Sequence, residues 1–258
     1  MTLDLALSGS HLAASVALIA TAFLLAGLVK GVIGLGLPTV AMALLGLVMT
    51  PLEAAALLVV PSLVTNLWQL AQGPRLGALA RRLATMLAGI CLGTWLGMTG
   101  LAALGPGHGP GQASGPLGIA LMVYALLGLS AWQPRVPARF EPWLSPLMGL
   151  LTGMSTAATG IFALPAVPFL QALALDRDDL VQALGLAFTV STVALAAGLL
   201  GQGALRPGVG GLSLFCLAPA LAGMALGQRL RHRLSPWVFR RCFFIGLLGL
   251  GAHLAWRG

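Results

Sequence analysis

The stretch Gly27-Leu-Val-Lys-Gly-Val-Ile-Gly-Leu-Gly-Leu-Pro38 interrupts an otherwise apolar run near the start of this chain. A second stretch, Gly149-Leu-Leu-Thr-Gly153, opens a similar run that reaches Pro165. Hydrophobic segments broken by glycine and proline at matching places in two halves are typical of secondary transporters, whose substrate site lies at the breaks. The pattern therefore predicts an all-α polytopic membrane protein that arose by internal duplication.

The composition favours a chain that is surrounded mostly by lipid. Of its 258 residues, 58% are hydrophobic and only 8% are charged. A soluble protein of this length carries far more charged residues on its surface. The net charge of +8 comes from short connectors between apolar runs, so it indicates membrane topology and not nucleic-acid binding.

The apolar runs define ten segments, which predict about 8–10 transmembrane helices at roughly 20 residues per span. Their approximate bounds are 12–29, 32–49, 53–72, 82–104, 115–132, 142–157, 160–174, 180–200, 209–228 and 238–256. With both termini outside, twelve of the fourteen Lys and Arg residues fall in the cytoplasm, and only Arg206 and Arg257 do not. This asymmetry agrees with the positive-inside rule.

The segments divide into two sets of five, which predicts a first repeat at 1–132, a cytoplasmic linker at 133–141 and a second repeat at 142–258. Because five is odd, the second repeat enters the membrane with the opposite orientation, as in many secondary transporters. The short segments 142–157 and 160–174 either span the bilayer or form a re-entrant pair. Both alternatives leave the loop topology unchanged.

Further matched motifs support the duplication. Thr50-Pro-Leu-Glu53 has the pattern of a helix capping box, and Asp176 to Asp179 places carboxylates at the equivalent positions. Small residues four apart recur at Gly93 and Gly97 and again at Gly223 and Gly227, a pattern that permits close helix contact. A homodimer could form through the Gly93 or the Gly223 face.

As an ordered set, these motifs resemble the sulfite exporter TauE/SafE family. The resemblance rests on the Gly27–Pro38 stretch, on Pro61-Ser-Leu-Val-Thr-Asn-Leu-Trp-Gln69 and on Thr159-Gly-Ile-Phe-Ala-Leu-Pro165, and it covers nearly the whole chain. It implies a bacterial inner-membrane permease, with periplasmic termini, for sulfite or organosulfonate anions, usually in the export direction. Lys30 and two neighbouring leucines stand where many members carry a richer glycine run, which would mark a subgroup with a different substrate.

The glycines ahead of Pro38 are candidate substrate-binding positions. A helix broken at Gly34 and Gly36 frees amides and carbonyls near membrane depth, and the positive end of a half-helix favours an anion. The second half breaks before Pro165 in the same way. The alternative is that these glycines only permit tight helix crossing.

Polar side chains within apolar helices are further candidates. Thr65, Asn66 and Gln69 lie within little more than one helical turn, and Ser191 and Thr192 occupy the matching stretch of the second half. Hydroxyls and amides can donate to anion oxygens without the desolvation cost of a buried charge. Interhelical hydrogen bonding is the alternative role. Ser155, Thr156 and Thr159 could line the opposite wall. Gln182 could do so too, or could simply begin a helix.

Lys30 is the only lysine, and it lies within the first broken segment. One interpretation is that its ammonium attracts an anion at the inner mouth of the site. The other is that it snorkels to the membrane interface and only fixes the topology.

The spans predict neither a proton relay nor an enzyme, because every Asp and Glu lies in a loop or, like Glu53, at the start of a helix. The three cysteines have no metal-ligand spacing, so neither a metal nor a cofactor is expected. The leading hypothesis is export of sulfite or a small organosulfonate by alternating access between the repeats, driven by the membrane potential. The alternatives are an uptake permease for related anions and a membrane scaffold subunit that does not transport.

Overall fold

A computed structural model describes residues 12–103, 114–130, 135–205, 207–231, 233 and 235–257, and this part of the chain is helical without a strand. Arg206, which was predicted to lie outside the cell, and the first two residues of the predicted 133–141 linker lie outside the described residues. The eleven helices are α1 (Leu12–Ile33), α2 (Leu37–Leu45), α3 (Pro51–Leu70), α4 (Leu76–Arg82), α5 (Ala84–Ala103), α6 (Ser114–Leu129), α7 (Glu141–Thr159), α8 (Ala166–Ala172), α9 (Arg177–Gly201), α10 (Pro207–Leu230) and α11 (Pro236–Arg257).

Five described helices, α1, α3, α9, α10 and α11, are long and apolar enough to cross a membrane. A sixth span is possible if α4 and α5, which meet at a bend of 65°, cross together, and α6 is a shorter apolar helix. The predicted all-α polytopic class is confirmed. Segment 32–49, predicted as a continuous span, contains the short helix α2, and segment 160–174, for which a span and a re-entrant pair were both open, contains the short helix α8. The nine residues of α2 extend roughly 14 Å, about half the hydrocarbon thickness.

Both predicted breaks are present. The first helix ends at Ile33, and Gly34 and Gly36 follow with φ of 83° and 104°, a left-handed conformation that glycine adopts without steric penalty. Helix α2 then begins with Pro38 in its first turn. In the second half, Gly160 ends α7 with φ of 70°, and helical structure resumes at Ala166.

The long helices pack in pairs: α1 against α10, α5 against α7, α6 against α11, and α3 against α9. Glycines permit the first two pairs, because a side chain at Gly27 or Gly223 would collide with α10 or α1 backbone, and one at Gly93 or Gly149 with α7 or α5 backbone. The close contacts predicted from the small-residue patterns are confirmed. Both faces suggested for a homodimer are therefore covered within the chain itself.

Helix α3 positions the polar residues of the first half. Its capping box is formed, since the Thr50 hydroxyl accepts from the Glu53 amide and the Glu53 carboxylate accepts from the Thr50 amide at 3.0 Å. Pro61 inside the helix has no amide to donate to Leu57. The Ser213 hydroxyl of α10 replaces that donor at 2.8 Å from the Leu57 carbonyl oxygen. This bond ties the proline-containing turn to α10.

Basic residues gather at one end of the helices, which we call the basic end. There Arg75 pairs with Asp179 at 3.1 Å, and Arg82 makes a two-bond pair with Glu141 at 2.6 and 2.8 Å. The second pair joins the end of α4 to the start of α7. The Thr50–Glu53 cap lies at the opposite end of α3, so this helix runs between the two ends of the molecule.

Candidate functional site

Lys30 lies in the last turn of α1 and is buried, with 5% of its surface exposed. Its Nζ donates to Thr65 Oγ1 at 3.1 Å and to Asn66 Oδ1, both on α3. An interfacial lysine that snorkels would instead extend its ammonium to water. The snorkelling interpretation is therefore wrong, because the ammonium is held inside the protein by two side chains 35 and 36 residues away.

A chain of hydrogen bonds continues from Lys30 across the crossing of α3 and α9. Asn66 Nδ2 donates to Thr192 Oγ1 at 3.3 Å, over a separation of 126 residues, the same as between the matched Thr50 and Asp176. The Thr65 and Thr192 hydroxyls give their own protons to the carbonyls of Pro61 and Phe188, each at 2.7 Å. Both oxygens are therefore acceptors for Lys30 and Asn66, which fixes the direction of every bond in the chain.

Within the described part of the chain, no carboxylate balances the charge of Lys30. Among the described residues, no Asp or Glu oxygen lies within 4.0 Å of its Nζ, and the ion pairs found there involve arginines only. A buried cation that has only neutral partners is costly, because two hydrogen bonds do not replace a counter-charge. Such a group is suited to an anionic ligand that supplies the missing charge.

A cavity of about 330 Å³ reaches from Lys30 to the basic end. Four predicted site residues line it: Lys30, Gly34, Thr65 and Gln69. Three arginines also line it, Arg177, Arg231 and Arg240, and none of the lining residues that the structure describes is acidic. At Gly34 an added Cβ would meet nothing within 4 Å, so this break faces open space. The cavity thus leads from a cationic mouth to a single buried ammonium.

A second, much smaller cavity of about 10 Å³ lies toward the other end of α3 and α9. It is lined by Pro51 and Ala55 of α3, by Leu195 of α9, and by the end of α7 from Thr156 to Gly160. Its volume accommodates about one water molecule. The lining includes Thr159 and Thr156, which the sequence suggested for an opposite wall.

The other predicted residues fall into two groups. Three lie at the α3–α9 crossing between the two cavities, and these are Asn66, Ser191 and Thr192. Three line neither cavity and shape the backbone at the breaks, and these are Gly36, Pro38 and Pro165. Gln182 has a structural role, because it accepts from the Arg75 amide at 3.0 Å and donates to the Leu70 carbonyl at 2.9 Å.

Ser62 and the three arginines at the cavity mouth were not predicted as site residues from the sequence. Ser62 is fully buried on α3, four residues before Asn66 and so on the same helix face, a spacing that could have drawn attention to it. The arginines belong to connectors and helix ends far apart in the chain. The positive-inside rule was enough to account for their positions in the sequence, so nothing indicated that they converge on one cavity.

Comparison with known proteins gives one match. The family model described as Sulfite exporter TauE/SafE matches residues 19–254, nearly the whole chain. No curated protein and no solved structure matches significantly. The matched family is one of membrane transporters for sulfur anions.

Proposed function

This chain belongs to the sulfite exporter TauE/SafE family, and we propose that it exports sulfite or a small organosulfonate anion across the bacterial inner membrane. The observation that carries the proposal is Lys30, a buried cation that has no carboxylate partner among the residues that the structure describes, at the inner end of a cavity lined by arginines. An anion bound there would receive the ammonium charge and hydrogen bonds from neighbouring polar groups.

The substrate site in this proposal comprises Lys30, Thr65, Asn66, Gln69 and Thr192. Asn66 belongs to the first predicted repeat, 1–132, and Thr192 to the second, 142–258, with the 133–141 linker between them. In this proposal the site therefore lies between the two inverted repeats. The basic end faces the cytoplasm under the positive-inside rule. The open cavity at that end and the nearly closed one at the other support alternating access from an inward-facing conformation.

The negative interior of the cell drives the export. A potential of 100 mV contributes about 2.3 kcal/mol for each charge that moves outward, so an anion needs no proton relay to leave. Sulfite efflux from proteoliposomes should therefore follow an imposed potential without a proton gradient. Efflux that follows a proton gradient at clamped zero voltage would contradict the uniport mechanism, and net uptake under the same potential would favour the permease alternative.

Binding can be measured independently as thermal stability of the purified protein at matched ionic strength. The anions are sulfite, sulfate, thiosulfate, taurine, sulfoacetate, phosphate and chloride. We expect a selective rise in Tm with sulfite or one sulfonate, and its loss in Asn66→Ala. Thr94→Val is the control, because Thr94 is equally buried on α5 but bonds only to the Ile90 carbonyl and lines neither cavity. An unselective response, together with a partner subunit that copurifies, would favour a scaffold.

A further inference from the structure

We propose that the hydroxyls of Ser62 and Ser191 form a second anion-binding position, between the two cavities, and that the small cavity is the outer vestibule of the same path. This inference rests on the proposed function and extends it. The first position, at Lys30, holds the anion by charge. The second would hold it by hydroxyl donors alone, at the point where it passes between α3 and α9.

The first observation is that both hydroxyls are buried without a partner. Ser62 and Ser191 are each 0% exposed, and neither Oγ has a hydrogen-bond partner. Their neighbours Thr65 and Thr192 donate to carbonyls of the preceding helical turn. Buried polar groups in proteins are almost always hydrogen-bonded, so an orphan hydroxyl points to a ligand or a water molecule that uses it.

The second observation is where these serines lie along their helices. Helix α3 lines the small cavity with residues 51–55 and the large one with residues 65–69. Helix α9 lines the large cavity with residues 177–184 and the small one with residues 195–199. Ser62 and Ser191 fall on the intervening stretches of both helices. The two orphan hydroxyls thus lie in the barrier that separates the cavities.

The chemistry of the barrier fits transient binding of an oxyanion. A serine hydroxyl has one O–H donor that can rotate toward an anion oxygen, and it carries no charge. Ser62 precedes Asn66 by one turn, and Ser191 adjoins Thr192, so both serines lie within one helical turn of the bond that joins α3 to α9. An anion that displaces this bond finds hydroxyl donors from both helices as it moves past the Lys30 ammonium, which bonds to the other end of the Asn66 amide.

Two methionines pack beside the small cavity: Met98 lines it, and Met42 packs on Gly160, which lines it. A Cβ at Gly160 would lie 2.8 Å from Met42 Cε, and one at Gly198 would lie 2.7 Å from Met98 Cε, so the thioethers pack directly on the glycine backbone. Methionine side chains are unbranched and change rotamer readily. Their withdrawal from Gly160 and Gly198 would open the vestibule. The matching break at Gly34, at the basic end, carries no such plug.

The first test is Ser62→Ala, compared with Ser145→Ala. Ser145 is also buried, and its hydroxyl also lacks a partner, but it lines neither cavity and lies on α7, away from the crossing. Removing either hydroxyl should leave Tm unchanged or slightly raised, since no bond is lost. We expect sulfite efflux from proteoliposomes to fall about ten-fold or more for Ser62→Ala, the loss expected for one hydrogen bond to an anion, and to stay unchanged for Ser145→Ala.

Equal efflux in the two variants would overturn the second binding position. The proposed function would still stand in that case if the wild type exports sulfite and Lys30→Met does not. If the wild type moves no anion and shows no selective Tm shift, both proposals fail together.

The second test measures access to the small cavity with a membrane-impermeant thiol reagent. In a variant with the three native cysteines replaced, Leu195→Cys should react from the outside at a rate that sulfite changes several-fold. Val193→Cys is the control. Val193 lies on the same helix and is 54% exposed, but its side chain would face lipid, which shields it from the reagent. A rate for Leu195→Cys that is zero or independent of sulfite would overturn the vestibule assignment, even if Ser62→Ala unfolds.

Discussion

Lys30→Met is the variant that most directly tests the role of the buried cation. Methionine has nearly the same length and apolar stem, so it removes the charge and two hydrogen bonds while it fills the same space. Stability should change little, because the variant relieves a buried charge that no carboxylate balances. The variant also leaves Asn66 Oδ1 without its donor, which costs stability and offsets part of the gain from removing the buried charge.

The effect on anion binding should be large. Two unit charges about 4 Å apart interact by about 4 kcal/mol at an effective dielectric constant of about 20. This is an upper limit, equivalent to about a thousand-fold in affinity, and a charge-assisted hydrogen bond alone gives about 1.5–3 kcal/mol. We therefore expect Lys30→Met to weaken sulfite binding between about ten-fold and a thousand-fold.

The assay is the sulfite concentration that gives half of the maximal Tm shift, measured beside sulfite efflux. Lys30→Arg should keep most of the binding, since it retains the charge. Arg81→Met removes an exposed cation near the basic end that bonds only to the Gly77 carbonyl, so it should bind as the wild type does. Binding by Lys30→Met at wild-type affinity, with an unchanged Tm, would refute the assignment of Lys30 as the counter-charge.

Three further predictions concern the fold, and each is checked by thermal unfolding in detergent. Gly93→Ala should destabilise the α5–α7 pair by about 1–3 kcal/mol, because its Cβ meets α7 backbone. Gly100→Ala should be neutral or stabilising, since nothing lies within 4 Å of its Cβ. Equal Tm values for the two variants would contradict the packing. Ser213→Ala should cost about 1–3 kcal/mol, since it leaves backbone groups of α3 unpaired beside the proline, and an unchanged Tm would show that they find other partners. Arg82→Gln should cost no more than about 1 kcal/mol, because the arginine side chain of its pair with Glu141 is 43% exposed, and 1 M salt should abolish the difference from the wild type; a larger, salt-independent loss would show that the pair acts by packing.

The parts of the fold that the sequence predicted are those determined by local chemistry. Gly34 and Gly36 before Pro38 break a helix whatever surrounds them, and Thr50 with Glu53 caps one. The number of spans could not be predicted from the same signals, because hydropathy gives the polarity of a segment and not whether its helix is continuous. Helix α2 is as apolar as a span but only nine residues long.

The environment of Lys30 could not be predicted for a different reason. Whether a lysine near a helix end snorkels or stays buried depends on which side chains face it, and here they come from α3, 35 residues later. Ser62 was missed because a serine in an apolar helix usually bonds to the carbonyl one turn earlier. Only the three-dimensional structure reveals that its hydroxyl lacks that bond.

Under the proposed function, the distribution of charge between the cavities explains how one site can both capture and release an anion. The large cavity has Lys30 at depth and arginines at its mouth, whereas the described residues that line the small one are all uncharged. An anion that moves outward leaves the attraction of a single ammonium, and the membrane potential offsets part of that loss, at about 2.3 kcal/mol per 100 mV. A second cation at the depth of Lys30 would add a comparable attraction with nothing to offset it, and release would become slow. The arginines avoid this effect because they stand at the mouth, where ions screen charges over about 8 Å at physiological salt. They concentrate the anion near the entrance, and one lysine then holds it.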